Sequence, residues 1–171
     1  KIQGGRPFQE VEELLRGLHL NTVCQEANCP NRMECYGKRT ATFIILGRNC
    51  TRNCTFCNVS RELPDPVDPL EPEHVAAAVR SLKLRHAVVT SVTRDDLPDQ
   101  GAGQFAACLR ELRAQCPDTT VELLIPDMQG REDLLDIILA ERPDVLNHNV
   151  ETVPALYPRV RPQADFERSL G

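Results

Sequence analysis

Three features of this chain predict an α/β fold with a parallel sheet. Short β-branched runs alternate with amphipathic helical stretches, prolines and glycines punctuate the joints, and polar residues bunch just after each run. About four βα units are visible, too few to close a barrel. An open α/β sheet and a TIM-like barrel cut short both satisfy the pattern. A cysteine-rich arm precedes these units, which divides the chain into residues 1–40 and 41–171.

The arm begins with a helical stretch. Phe8, Val11, Leu14, Leu15 and Leu18 recur at helical spacing while Glu10, Glu12 and Glu13 face elsewhere, giving one surface helix that ends near Gly17. Residues 21–40, NTVCQEANCPNRMECYGKRT, have no steady period and are expected to form a loop. A loop that long in a compact protein needs a reason to be ordered. Thr42–Leu46 reads as the first buried strand, followed by a cysteine loop and a proline-rich connector, RELPDPVDPLEP. A helix is expected over Glu71–Leu84, with Val75, Val79 and Leu82 on one face. Next come a strand at Ala87–Val92, the loop TRDDLPDQGAG and a helix from about Gln104 to Gln115. A third strand at Thr120–Ile125 and a helix at Arg131–Ala140 follow, then a fourth strand at Val145–Val150 with a polar end. A short helix near Val153–Tyr157 and the start of another at Phe166–Leu170 complete the pattern.

In parallel α/β folds functional groups gather at the C-terminal ends of the strands. The polar material lies there: the cysteine loop, Ser91 to Asp96, Pro126 with Asp127, and Asn147 to Glu151.

With 171 residues, 41% hydrophobic and 26% charged, the chain is long enough for one domain with its own core. A net charge of -5 gives no electrostatic case for nucleic acid or an anionic membrane, so neither is expected as a partner. The chain is expected to be a monomer. Eight cysteines are the compositional anomaly. Six of them fall in two tight groups between residues 24 and 57, a spacing that favours metal or cluster ligation over disulfides. Such chemistry implies a reducing compartment, the cytoplasm or, in a eukaryote, the mitochondrial matrix.

The stretch LGRNCTRNCTFCNV, Leu46 to Val59, carries Cys50, Cys54 and Cys57 as C-x3-C-x2-C directly after a strand. Three thiolates can hold three irons of a four-iron, four-sulfur cluster and leave the fourth iron open for chemistry. With the aromatic Phe56 before the last cysteine, this is the radical-SAM signature, in which the open iron binds S-adenosylmethionine. A zinc loop completed by a fourth ligand such as His is the competing reading. A second triplet, Cys24, Cys29 and Cys35, lies upstream as C-x4-C-x5-C.

The two triplets together, with ATFIILGRNCTRNCTFC, TSVTRDDLPDQGA, IPDMQGREDLLD and DVLNHNVETVPALYPRVRPQADFERSL, resemble the lipoyl synthase family from about Gly17 to Leu170. The resemblance implies a partial (β/α)6 radical-SAM barrel behind the arm. It also implies two four-iron clusters: a radical-SAM cluster on Cys50, Cys54 and Cys57, and an auxiliary sulfur donor on Cys24, Cys29 and Cys35. The implied reaction inserts two sulfur atoms at carbons 6 and 8 of an octanoyl group carried on a partner lysine. Octanoylated lipoyl-carrier domains or H protein would be the partners, with an electron donor such as ferredoxin or flavodoxin. Another sulfur-inserting enzyme of the biotin synthase type is the nearest rival, but it lacks the upstream triplet. A non-catalytic iron–sulfur or zinc module is the rival from another class.

Other positions carry over by motif. Phe56, Ser91, Asn149 and Glu151 match places that meet the S-adenosylmethionine cofactor; as a bland alternative, Glu151 would cap the next helix. Arg94, Asp95 and Asp96 are expected to line the site, His148 lies within NHNVET, and Arg159 or Arg161 would meet the methionyl carboxylate or the partner. DQGAG departs from a family segment that more often shows a glycine pair. The family's auxiliary cluster takes a serine from an Arg-Ser-Ser-Tyr motif that these residues do not contain, so a fragment or a reduced form is expected; Ser169 is not that ligand. Cys108 and Cys116 stand outside both triplets and read as small buried hydrophobes.

Overall fold

A computed structural model describes residues 6–38 and 40–171; expectations that fall on residues 1–5 and Arg39 lie outside it. The sheet has five strands in sequential order: β1 (Asn21–Thr22), β2 (Thr42–Ile45), β3 (His86–Ser91), β4 (Thr120–Leu124) and β5 (Val145–Asn147). β2 to β5 run parallel, and β1 pairs antiparallel with β2. Helices α4 (Glu71–Leu82), α5 (Ala102–Gln115) and α6 (Glu132–Leu139) form the crossovers.

Sequential order decides between the two expected architectures. When every right-handed crossover steps to the next strand on the same side, all helices land on one face of the sheet, as in a barrel. α4 accordingly packs on α5, and α5 on α6. The fold is therefore a partial TIM-like barrel rather than a doubly wound sheet. The row Phe43, Val89, Leu123, Leu146 is in register across four strands, and its first three members are fully buried. Phe105, Leu109, Leu112, Val75, Val79 and Ile138 join that core from the helices.

The arm is more ordered than its aperiodic sequence suggests. α1 (Arg6–Gly17) is not a pure surface helix, since Val11 and Leu15 are fully buried. Among the described residues of 21–40 the expected loop is partly regular: β1 joins the sheet, and two short helices, α2 (Val23–Glu26) and α3 (Arg32–Gly37), are linked by turns. Thr22 begins α2 by accepting the N–H of Gln25, and its hydroxyl also meets that of Tyr36 at 2.7 Å. Local capping and one buried hydroxyl pair thus supply the order that periodicity could not reveal.

The last strand is shorter than expected. β5 stops at Asn147, because Arg161 takes the carbonyls of Asn149 and Val150 that a longer strand would present. The next turn is a 3-10 turn, Pro154–Leu156, running into α7 (Tyr157–Val160), and residues 166–170 form turns rather than a helix.

Candidate active site

The cysteine loop leaves β2 through two residues with positive φ, Leu46 at 70° and Gly47 at 89°. The leucine is held in this unfavourable conformation from both sides. Glu71, buried at the start of α4, accepts its N–H at 3.1 and 2.9 Å, and Arg94 Nη1 donates to its carbonyl at 3.1 Å. Its side chain fills the space a Cβ on Gly101 would need, 2.2 Å from Leu46 Cδ1, and Gly101 itself has φ +89°. The DQGAG departure thus keeps a glycine where the backbone requires one.

Beyond this turn the loop is pinned to three other segments. Thr51 donates through its N–H and its hydroxyl to the carbonyl of Thr93, each at 3.0 Å. Arg52 reaches Asp95 and Asp127 at 2.7 Å each. The N–H of Asn53 donates to Gln163 Oε1 at 2.8 Å, and that of Thr55 to the carbonyl of Val160 at 2.9 Å. Cys50, Cys54 and Cys57 lie on this braced loop, all reduced and half-buried. Burial pushes the Cys54 thiol up; the charge and hydrogen bond of Arg161 oppose this, and Cys50 and Cys57 add to it. Phe56 stands 54% exposed on the same loop.

In the arm, Cys24 is buried in α2, and Cys29 and Cys35 are half-buried. Burial raises the Cys24 thiol, the N–H of Thr42 works against it, and the neighbouring Cys35 and Cys29 raise it further. The thiols of each triplet therefore feel one another. A hydrogen bond of 3.2 Å from Asn58 Nδ2 to the carbonyl of Glu26 ties the cysteine loop to the arm. Among the described residues, no three His, Cys, Asp or Glu side chains converge on single-ion geometry.

At the C-terminal ends of β3, β4 and β5 lies a cavity of about 130 Å³ lined by Ser91, Pro126, His148, Asn149, Glu151 and Arg161, among others. It brings together five of the positions singled out in the sequence: Ser91, His148, Asn149, Glu151 and Arg161. Ser91 and Arg161 both line it, and Ser91 Oγ and Arg161 Nε are buried without a hydrogen-bond partner. Arg161 is 8% exposed, stacks on Tyr157 and donates to the carbonyl of Asn149 at 2.8 Å. His148 Nδ1 lies 2.9 Å from the carbonyl of Ile125, which makes it the protonated nitrogen, and Nε2 is 3.1 Å from the Ser169 hydroxyl. Glu151 has φ 65° and caps nothing: the following turn has Val153 at its N-cap and no side-chain cap bond. Three thiols on one loop beside this recess fit a cluster with an open iron and a polar ligand.

Some expected residues do other work. Arg94, Asp95 and Asp96 do not line the cavity. Arg94 is buried as a clamp on Leu46, Asp96 pairs with it at 2.9 Å, and Asp95 holds Arg52. Arg159 is exposed, away from the cavity lining. Cys108 and Cys116 are buried in the helix layer, and burial pushes the Cys108 thiol well above the usual range. Sequence reasoning missed Arg52, Glu71 and Gln163. Glu71 resembles an ordinary first-turn acid and Gln163 carries no signal. Arg52 had one: a cation between two cysteines of one triplet, with acids following the next two strands.

The match to known proteins agrees with this geometry. The family model of the radical SAM superfamily covers residues 44–171, and the chain belongs to that superfamily. The cofactors of the class are S-adenosylmethionine and a four-iron cluster. The chain is also similar to curated lipoyl synthases. It is 58% identical to that of Caldanaerobacter subterraneus subsp. tengcongensis over 96% of this chain and 57% of the relative. It is 56% identical to that of Aquifex aeolicus over 95% and 59%, respectively. The lipoyl synthase of Alkaliphilus metalliredigens is 51% identical over 99% and 59%. The chain thus spans just under three-fifths of the length of these relatives. Among the described residues no helix is long and apolar enough to cross a membrane.

Proposed function

We propose that the chain carries out lipoyl synthase chemistry, inserting two sulfur atoms at carbons 6 and 8 of an octanoyl group on a carrier lysine. The observation that supports this beyond the superfamily is the second cysteine triplet, Cys24, Cys29 and Cys35, tethered to the first by the Asn58–Glu26 hydrogen bond. Cys50, Cys54 and Cys57 would hold the radical-SAM cluster, and the arm triplet an auxiliary cluster. Bound together, these groups supply hydrogen abstraction from an unactivated carbon and a source of sulfur, chemistry no acid or base in a protein provides.

The chain's own residues bind and orient. Asn149 and Glu151 offer an amide and a carboxylate to the ribose and nearby groups of S-adenosylmethionine, Ser91 a hydroxyl beside its amino group, and Arg161 a cation to its carboxylate. Phe56 lies on the same loop as the three ligand cysteines. Residues 1–40 act as the cluster-bearing arm and 41–171 as the barrel. The partners in this reading are an octanoylated lipoyl-carrier domain or H protein and a reductant of the ferredoxin or flavodoxin kind. The protein works as a monomer in the cytoplasm or the mitochondrial matrix.

Incubation of the reconstituted protein with an octanoylated lipoyl domain, S-adenosylmethionine and a reductant tests this. Mass spectrometry should show two hydrogens of the octanoyl group replaced by two sulfurs. Cleavage of S-adenosylmethionine with the octanoyl group unchanged would reduce the reading to that of an unassigned radical-SAM protein.

A further inference from the structure

Between Cys50 and Cys54 the chain buries an arginine with only 4% of its side chain exposed. Arg52 Nε and Nη2 donate to the two carboxylate oxygens of Asp95 at 2.7 and 2.9 Å, and Nη2 also donates to Asp127 Oδ1 at 2.7 Å. Asp95 stands on the loop after β3, and Asp127, whose side chain is fully buried, on the loop after β4. Gln129 Nε2 donates to Asp95 Oδ1 at 3.0 Å, and the N–H of Asp95 donates to Thr51 Oγ1 at 3.1 Å. Arg52 also turns its own N–H toward Cys50 Sγ at 3.5 Å. One side chain therefore locks the middle of the cysteine loop to the functional ends of two strands.

A buried guanidinium between two carboxylates is an expensive way to stabilise a fold, because apolar residues of similar volume often do as well or better. What it provides instead is geometry. The planar fork fixes orientation as well as distance, and the low-dielectric surroundings penalise any arrangement that breaks the network. We propose that Arg52 is the positioning residue of the cysteine loop: it sets Cys50, Cys54 and Cys57 in register with the cavity of Ser91, Asn149 and Glu151 before any cluster is present. This rests on the reading that these three cysteines hold the radical-SAM cluster.

The test compares the 171-residue chain with Arg52→Gln, Arg52→Lys and Asp95→Asn, the last leaving Asp127 to neutralise the arginine. In the metal-free chains, iodoacetamide labelling is followed by mass spectrometry at each cysteine. Loss of the fork should speed labelling of Cys50, Cys54 and Cys57 about tenfold through local opening, with Cys24, Cys29 and Cys35 unchanged. Arg52→Lys keeps the charge without the fork and should not rescue. In the reconstituted proteins, the electron paramagnetic resonance spectrum of the reduced cluster should lose its wild-type response to added S-adenosylmethionine. Wild-type labelling rates with an unchanged spectrum would overturn the inference, as would a uniform rise at all six cysteines in every variant, which marks general unfolding. A wild-type chain that takes up no iron would count against the functional reading alone, since the labelling does not depend on iron.

Discussion

Glu71 accepts the backbone N–H of Leu46 with both carboxylate oxygens, at 3.1 and 2.9 Å, across 25 residues of sequence. Gln104 Nε2 steadies the same carboxylate at 2.9 Å from α5. The exit from β2 into the cysteine loop, where Leu46 adopts φ 70°, is therefore held by the first turns of two helices. The helix layer and the loop are one mechanical unit, and the predictions below act on its joints.

Glu71→Ala should destabilise the fold by about 1–3 kcal/mol, because it strands the Leu46 N–H in a dry site. Glu71→Gln keeps an acceptor and should stay near wild type. Burial holds the Glu71 carboxyl above its ordinary value of 4.5, although hydrogen bonds from Leu46 and Gln104 pull the other way. A folded value above the unfolded one means that folding disfavours the charged form. Stability therefore falls as pH rises from below 4.5 through the folded value, and Glu71→Gln should remove this decline. Urea unfolding midpoints of the two proteins across this range check it.

Gly101→Ala should cost about 2–4 kcal/mol, from a positive-φ penalty plus the overlap of the new methyl with Leu46. Leu46→Ala removes that overlap, so the double variant should be more stable than additivity predicts by at least about 0.5 kcal/mol. Denaturant unfolding of the four proteins gives the coupling energy.

Asp127→Asn should cost about 1–3 kcal/mol, since it weakens a buried charge-assisted hydrogen bond to Arg52 while Asp95 still neutralises the arginine. Burial pushes the Asp127 carboxyl up, but the hydrogen bond and charge of Arg52 outweigh it and hold the group below its ordinary value of 3.8. A depressed folded value contributes stability that is present above 3.8 and is lost as pH falls through the folded value. The acid limb of the stability curve should be shallower in Asp127→Asn, as read by circular dichroism during acid titration.

Cys24→Ala separates the two triplets. Anaerobic reconstitution should fall from about eight irons per chain to about four. Cleavage of S-adenosylmethionine should persist while sulfur transfer to the octanoyl group stops. Equal loss of both would count against a sulfur-donor role for the arm.

Much of this molecule was legible along the chain because its signals are local. Thr42–Ile45, the strand before Cys50, is read from β-branched residues, α4 to α6 from their helical patterning, and the two cysteine triplets stand out by spacing alone. Residues 21–40 were not legible: their order comes from the Thr22–Tyr36 hydroxyl pair and from β1 pairing with β2, contacts that leave no period in the sequence. The same holds for Arg94, Asp95 and Asp96, whose place in the motif suggested a lined site but whose partners, Leu46, Arg52 and Arg94, make them braces.

The sequence by itself determined the chemistry: which thiols exist, in what spacing, and that they follow a strand whose end belongs to a parallel sheet. Only the tertiary structure decided that the strands wind sequentially as in a barrel and that Ser91, Asn149 and Glu151 share one cavity. It also decided that Arg52 is buried between two acids from different loops. Spacing is a property of neighbours along the chain, whereas a buried ion pair joins residues 43 and 75 positions apart. Its favourable geometry exists only once the sheet has brought the ends of β3 and β4 together and excluded water from between them.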